Sequence, residues 1–457
     1  MEIMQDRVTE LVLNQSYTFK VVYSEGDAGF AGVLNLTPEL ITFKVMTERS
    51  CNLSWETTEA KCYDFRNRFI LKGLRCTGSR SSSLGNIPSV GFYEIEFTVE
   101  SVIFCPGQGP AKGRFQAIQI HSETVNNWVG HTTTQEKILE VNHDGGDVRP
   151  FLTEFMAEAN SCEYIGVQYN ANYNHSPLSY EQSFAFPPSL FYTLESDENK
   201  RNPLVIYSKI YNLIAFLTGI EPSVQSVSLE YDLQGFTKYA SLYFVNNSLK
   251  PRRSNGFIML PLGKDPRFES WGLAPFPLSS FELYFSSDSE LPDIMSKYVK
   301  YRNMGNIEDR LLGYFRLLEK HCYNKKSYLS DELLVGLTKS AKEFLKSNGL
   351  ARKEILSFEK GLKRFNSSKY NTQKCVTDFF NSLPSQIQNG LGLSSVLIES
   401  ICKLRNDITH ANEYRADENQ MYAYTAFVHH LLIFALLQKL GVILVNVTNL
   451  TSRLRNY

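Results

Sequence analysis

The chain has 457 residues, enough for two or three cores, and its 43% hydrophobic and 21% charged residues exclude a disordered or fibrous protein. The net charge of −1 hides an asymmetry: residues 1–290 carry 23 Lys+Arg against 33 Asp+Glu, whereas residues 291–457 carry 24 against 15. Only the C-terminal part therefore suits a polyanionic partner.

Strand-like alternation comes first. Tyr17–Tyr23, Leu40–Val45, Phe92–Val99 and, less regularly, Arg114–Ile120 place apolar or aromatic residues at every second position, so each is expected to bury one face. Turn-forming stretches at Ser24–Gly29 and Cys105–Gly113 predict hairpin pairing of the strands on either side. After a polar stretch, Glu195–Pro203, the period changes to that of a helix over Leu204–Leu217, closed by Gly219. Strand patterns return at Val224–Tyr231, Tyr239–Val245 and Phe281–Phe285.

From about Leu291 the pattern is helical. Ile307–His321, Asp331–Ser347, Arg352–Phe365 and Ser394–His410 repeat apolar residues three and four apart, with Asn306 and Ser330 as starting caps. A longer helix, Asp417–Leu440, ends at Gly441. His429, His430, Gln438 and Lys439 interrupt its apolar stretch, which favours a core helix over a membrane span. The fold class is thus multidomain α+β: an N-terminal antiparallel β-sandwich-like region (1–288, with a break near 195) and a C-terminal all-α bundle (290–457).

Targeting and redox signals point to the cytoplasm. The start, MEIMQDRVTE, lacks the basic and apolar segments of a secretory signal. The eight cysteines (Cys51, Cys62, Cys76, Cys105, Cys162, Cys322, Cys375, Cys402) form no C-x-x-C pair, as expected for reduced thiols and not for a disulfide frame or a zinc site. His121, His131 and His143 lack acidic or cysteine partners at ligand spacing, so no metal and no cofactor is expected. The glycines of Cys105–Gly113 do not follow the order of a phosphate-binding loop, and Trp55 and Trp128 read as core aromatics.

One segment carries chemistry: Leu404-Arg405-Asn406-Asp407-Ile408-Thr409-His410-Ala411 places Arg, Asn and His at a helix end in the basic part of the chain. RNA can be cut without a metal when its own 2′-hydroxyl attacks the adjacent phosphate, given a group to move the proton and a group to stabilise the developing charge. An imidazole serves the first task near neutral pH and a guanidinium, with its planar fork of donors, serves the second. Asn406 could fix the histidine or the scissile phosphate by hydrogen bonds, and Lys403 and Arg415 could hold flanking phosphates. Residues five apart on an ideal helix point about 140° away from each other, so a twofold dimer is needed to gather two copies of the motif in one cleft. The bland reading pairs Arg405 with Asp407, Glu399 or Glu413 and leaves His410 as a helix-end cation.

Here the chain resembles the HEPN superfamily, whose ribonuclease members carry R-[N/H/D]-x-x-x-H near a helix end in a small helical bundle. The layout as a whole looks like the ApeA type of bacterial anti-phage protein, in which a long β-rich part precedes the HEPN domain. The resemblance implies a metal-independent endoribonuclease with Arg405, Asn406 and His410 as catalytic residues, in a site shared by two protomers. It further implies host RNA, tRNA in particular, as substrate, a phage protein sensed by the N-terminal region as trigger, and an abortive-infection role. The alternative is a non-enzymatic protein- or glycan-binding module with a helical assembly domain.

Overall fold

The computed structural model describes residues 8–25, 28–47, 56–83, 91–107, 109–110, 114–160, 162–176, 181–194, 202–245, 258–262, 272–286, 290–323, 328–367, 372–392 and 395–454. The chain divides into two compact units, Met1–Met295 and Ser296–Tyr457.

The first unit is built on β1 (Tyr17–Glu25), β2 (Ala28–Leu36), β3 (Ile41–Thr47), β4 (Glu59–Tyr63), β5 (Asn67–Lys72), β6 (Arg75–Ser83), β7 (Gly91–Thr98), β8 (Ser101–Pro106) and β9 (Ala117–Ser122). It continues with β10 (Thr153–Asn160), β11 (Glu163–Tyr169), β12 (Asn172–Ser176), β13 (Glu181–Ala185), β14 (Pro188–Thr193), β15 (Val224–Leu233) and β16 (Phe236–Phe244). Fourteen strands form one antiparallel sheet in the order β10-β11-β14-β9-β15-β16-β8-β5-β4-β1-β2-β3-β7-β6; β12 and β13 pair separately. The alternation read from the sequence becomes one-sided burial: in β3, Ile41, Phe43, Val45 and Thr47 are all buried. β1 and β2 pair in register from Tyr17↔Leu36 to Glu25↔Ala28.

The sheet curls over itself. Neighbouring strands lie about 4.8 Å apart, so Phe19 on β1 and Phe104 on β8, three strands away, would be roughly 14 Å apart on a flat sheet. Their rings are instead 5.9 Å apart, and Phe19 also packs at 4.9 Å from Phe69 of β5. The bend falls where β1 meets β4, a seam paired at only Val22↔Tyr63 and Tyr23↔Cys62. This produces the sandwich-like layering expected from the alternating strands, and it explains why β8 is buried at five consecutive residues.

Both sheet edges are irregular. On the β10 edge the pairing with β11 shifts between Thr153 and Phe155 and again between Glu158 and Asn160. On the β6 edge the sequence is RCTGSRSSS, with a shift between Cys76 and Gly78.

Among the described residues, four α-helices accompany the sheet: α1 (Glu123–Val129), α2 (Thr133–His143), α3 (Pro203–Thr218) and α4 (Ser279–Phe285). α3 matches the helical period of Leu204–Leu217 and ends at Gly219, whose φ of 66° is the left-handed conformation that glycine adopts without strain. α1 and α2 have no counterpart among the sequence expectations. Trp128 on α1 is fully buried and donates its indole N–H to the Leu260 carbonyl at 3.1 Å, a core role; Trp55 lies outside the described residues.

Two local expectations are corrected. Phe281–Phe285, read as a strand, is α4: Phe281, Tyr284 and Phe285 are buried at helical spacing while Leu283 is 46% exposed. The Cys105–Gly113 segment does not close a hairpin, because β8 pairs with β5 and β16 whereas β9 pairs with β14 and β15. The β15–β16 hairpin, from far along the chain, inserts between them.

The second unit is helical, as the spacing predicts: α5 (Leu291–Arg302, which contains the division between the units), α6 (Ile307–Cys322), α7 (Asp331–Ser347), α8 (Arg352–Ser367), α9 (Thr372–Ser382), α10 (Ser385–Gly390), α11 (Ser395–Thr409), α12 (Glu418–Lys439) and α13 (Leu450–Leu454). Asn306 caps α6 and Ser330 caps α7 through their side chains, while Asp417 and Gln420 form a capping box at α12. α6 is the hub, packing against α9, α11 and α12. α12 is long and apolar enough to cross a bilayer, yet Leu431–Leu437 are buried without interruption, as in the central helix of a bundle.

His429 on α12 is stacked between Tyr298 (5.6 Å) and Tyr314 (4.5 Å), and its Nε2 is hydrogen-bonded to the Tyr298 hydroxyl at 2.8 Å. His429 is thus packed in the core of the helical unit. Close approach also governs Gly313 on α6, where a Cβ would lie 2.3 Å from the Tyr301 ring. Gly313→Ala should therefore destabilise the protein by about 1–3 kcal/mol through overpacking, measurable as a lowered denaturant midpoint.

Candidate active site

α11 presents two faces. Lys403, Asn406 and His410 follow one another at helical spacing and are all exposed, whereas Ile401, Cys402 and Leu404 are buried toward the bundle. Arg405 falls on the bundle side of this division and is only 24% exposed along its side chain. Its guanidinium lies 5.4 Å from the centroid of the buried Phe315 ring of α6.

The guanidinium is the centre of a hydrogen-bond network that draws on three helices, two of which contact it directly. Arg405 Nη2 donates to Glu319 Oε2 at 2.7 Å, and Nη1 donates to Asn406 Oδ1 at 2.9 Å. Glu319 belongs to α6, and its other oxygen accepts the Thr372 hydroxyl of α9 at 2.6 Å. Asn406 thus links the inward-facing Arg405 to the outward face of α11. The bland pairing of Arg405 with Asp407, Glu399 or Glu413 is not what the structure holds; the partner comes from 86 residues away in sequence.

His410 sits just past the last residue of α11, where its backbone N–H still donates to Asn406 O at 3.0 Å. Its ring is exposed and has no hydrogen-bond or ionic partner among the described residues. The next residue, Ala411, has φ 53°, a left-handed conformation that costs a non-glycine residue about 1–2 kcal/mol. Ala411 N and Asn412 N then close the helix onto Ile408 O and Asp407 O. Further on, the Tyr414 hydroxyl donates to Glu308 near the start of α6. The segment from Arg405 to Tyr414 is therefore tied to α6 at both ends, and His410 projects from the stretch between.

Of the sequence-derived candidates, the structure joins Arg405 to Asn406 directly, sets Lys403 and His410 on one exposed face, and leaves Arg415 exposed in the α11–α12 connection. It does not bring the Arg405 and His410 side chains into contact. Glu319, Thr372 and Phe315 are the additions. The available sequence signal was a carboxylate at Glu319 immediately beside the buried Leu318, on the apolar side of α6. Burial raises Cys402, one turn before Arg405, to about 11, with Arg405 lowering it and Glu319 raising it, which disfavours its thiolate.

Residues 312–443, which include every group just described except Glu308, match the family model described as Apea-like HEPN, and the chain therefore carries an Apea-like HEPN domain. No curated protein and no solved structure matches the chain. HEPN domains are generally ribonucleases; they typically act on RNA and dimerise.

Proposed function

We propose that this chain is a metal-independent HEPN endoribonuclease of anti-phage defence, with Arg405, Asn406 and His410 as its catalytic residues. The observation that carries this reading is the Arg405–Asn406 couple near an exposed His410 that has no partner among the described residues, at one helix end of an Apea-like HEPN domain.

The ribose 2′-oxygen attacks the neighbouring phosphorus while an imidazole takes the 2′-hydroxyl proton; the P–O5′ bond breaks, and a proton is delivered to the departing 5′-oxygen. Arg405 stabilises the charge that gathers on the non-bridging oxygens, and Asn406 aligns it. Because Arg405 and His410 diverge on one helix, a second protomer supplies the complementary set across a twofold axis. Leu333 and Phe344 of α7 and Phe365 of α8, exposed at 63%, 67% and 66%, offer apolar surface suited to such self-association. Lys403 and Arg415 hold flanking phosphates. The RNA is host RNA, with tRNA as the foremost candidate, and the β-rich unit senses a phage component that releases the activity, in the cytoplasm and by abortive infection.

Once its N-terminal region has been triggered, the purified protein should cut RNA equally with and without excess EDTA and leave 2′,3′-cyclic phosphate and 5′-hydroxyl ends, read by end-specific ligation. Loss of cutting in EDTA that returns on adding a divalent ion, or 5′-phosphate products, would sink the mechanism.

A further inference from the structure

Arg405 has five N–H donors, and two hydrogen bonds leave the others for a ligand. What decides where those remaining donors point is the carboxylate on the far side. Glu319 is 30% exposed, is itself fixed by Thr372, and meets Arg405 end-on at Nη2, with Phe315 lying against the guanidinium. A carboxylate that served only to neutralise a surface cation would have no need of an anchor on a third helix.

We propose that Glu319, held by Thr372, is the positioning residue of this site: it sets the direction in which Arg405 addresses the RNA phosphate, and its charge moderates how tightly that phosphate is held. The inference rests on the ribonuclease reading above. Two effects then separate by chemistry. Direction depends on having an oxygen acceptor at the Glu319 position, whereas moderation depends on its negative charge.

Glu319→Gln separates them, because an amide oxygen can still accept from Arg405 while its NH2 donates to the Thr372 hydroxyl. Glu319→Ala removes both effects. The expected result for Glu319→Ala is a fall in kcat of about 10–100-fold, since a displaced catalytic group costs that much. Glu319→Gln should keep kcat within about threefold of wild type, lower KM several-fold, and steepen the salt dependence of binding to a non-cleavable 2′-deoxy-substituted RNA oligonucleotide, because one more unneutralised cation faces the phosphates. Thr372→Val should lower kcat in the same direction as Glu319→Ala, by less. In an Arg405→Ala background, Glu319→Ala should add no further loss of residual activity or of oligonucleotide affinity.

Wild-type kcat in Glu319→Ala overturns the proposal, as does a Glu319→Gln protein that loses as much kcat as Glu319→Ala. Additive losses in the double variant overturn it too, since they assign Glu319 a merely structural part. If Glu319→Ala does not fold, the isosteric Glu319→Gln carries the test alone through its kcat, KM and salt slope. Unchanged cleavage by Arg405→Ala itself is a different outcome, and removes the ribonuclease assignment of Arg405 on which this proposal rests.

Discussion

Replacing His410 by alanine should lower RNA cleavage by about 10²–10⁴-fold, the usual contribution of a positioned acid–base group, while leaving the melting temperature unchanged. The two halves of that expectation have separate grounds. The ring is exposed and unpartnered among the described residues, so its removal strands no buried group and should alter stability by less than about 0.5 kcal/mol. Arg405→Ala contrasts with it in kind. It should reduce cleavage by about 10²–10³-fold, as loss of a transition-state charge stabiliser does, and it should also lower stability, because Glu319 and Asn406 each lose a charge-assisted hydrogen bond at 2.7 and 2.9 Å. Arg405→Lys keeps the charge but cannot reach Glu319 and Asn406 with one planar group, so it should restore stability more than activity. Kinetics and thermal melts on the three variants decide the matter; an active His410→Ala protein would end the acid–base assignment.

Acid should unfold the helical unit well before general acid denaturation. Burial lowers His321 to about 4, helped by the Lys439 charge and opposed by a hydrogen bond with the Gln438 side chain, and burial lowers His430 to about 4 against a hydrogen bond with the Leu454 backbone. His429 is pushed well below its usual range by burial first, then by His430, Arg302 and Arg310. A histidine whose folded value is depressed stays neutral in the fold, while the unfolded chain takes up its proton near pH 6.5. Below 6.5 the unfolded state therefore binds more protons, and stability falls as pH drops until the folded form also titrates near 4. Each of His321 and His430 can remove up to about 3 kcal/mol over that window, a large fraction of a typical total. Melts between pH 7.5 and 4.5 should show a steep decline that His430→Leu makes shallower; a midpoint independent of pH over this range would refute it.

The helices were legible because their signals are local. Ser330 caps α7, the Asp331–Ser347 period matches the helix end to end, and Gly441 follows the close of α12 with φ 76°. Strand existence was legible for the same reason in β1, β3 and β7. Sheet order was not, because β9 sits beside β15 from about a hundred residues later, a pairing fixed by burial of both faces and by no short-range pattern. The short run Phe281–Phe285 satisfies both a period of two and a spacing of three and four, and only the burial of Tyr284 decides between them. In the site, the Arg-Asn-x-x-x-His spacing marked the segment, yet the carboxylate facing Arg405 had to come from another helix, and nothing near Arg405 in sequence announces Glu319.

Among the described residues the fourteen-strand ladder ends at β10 and β6, and edge strands are a template for fibre growth unless they are irregular, charged or covered. Here one terminus of the ladder is kinked twice and backed by α4, with Phe155 stacked on Phe281 at 5.6 Å, and the other is a serine-rich strand carrying Arg75 and Arg80 that no flat, apolar strand could match. Concentrated preparations should thus resist stacking strand to strand, and a large β-platform of this kind can be made abundantly without seeding insoluble polymer.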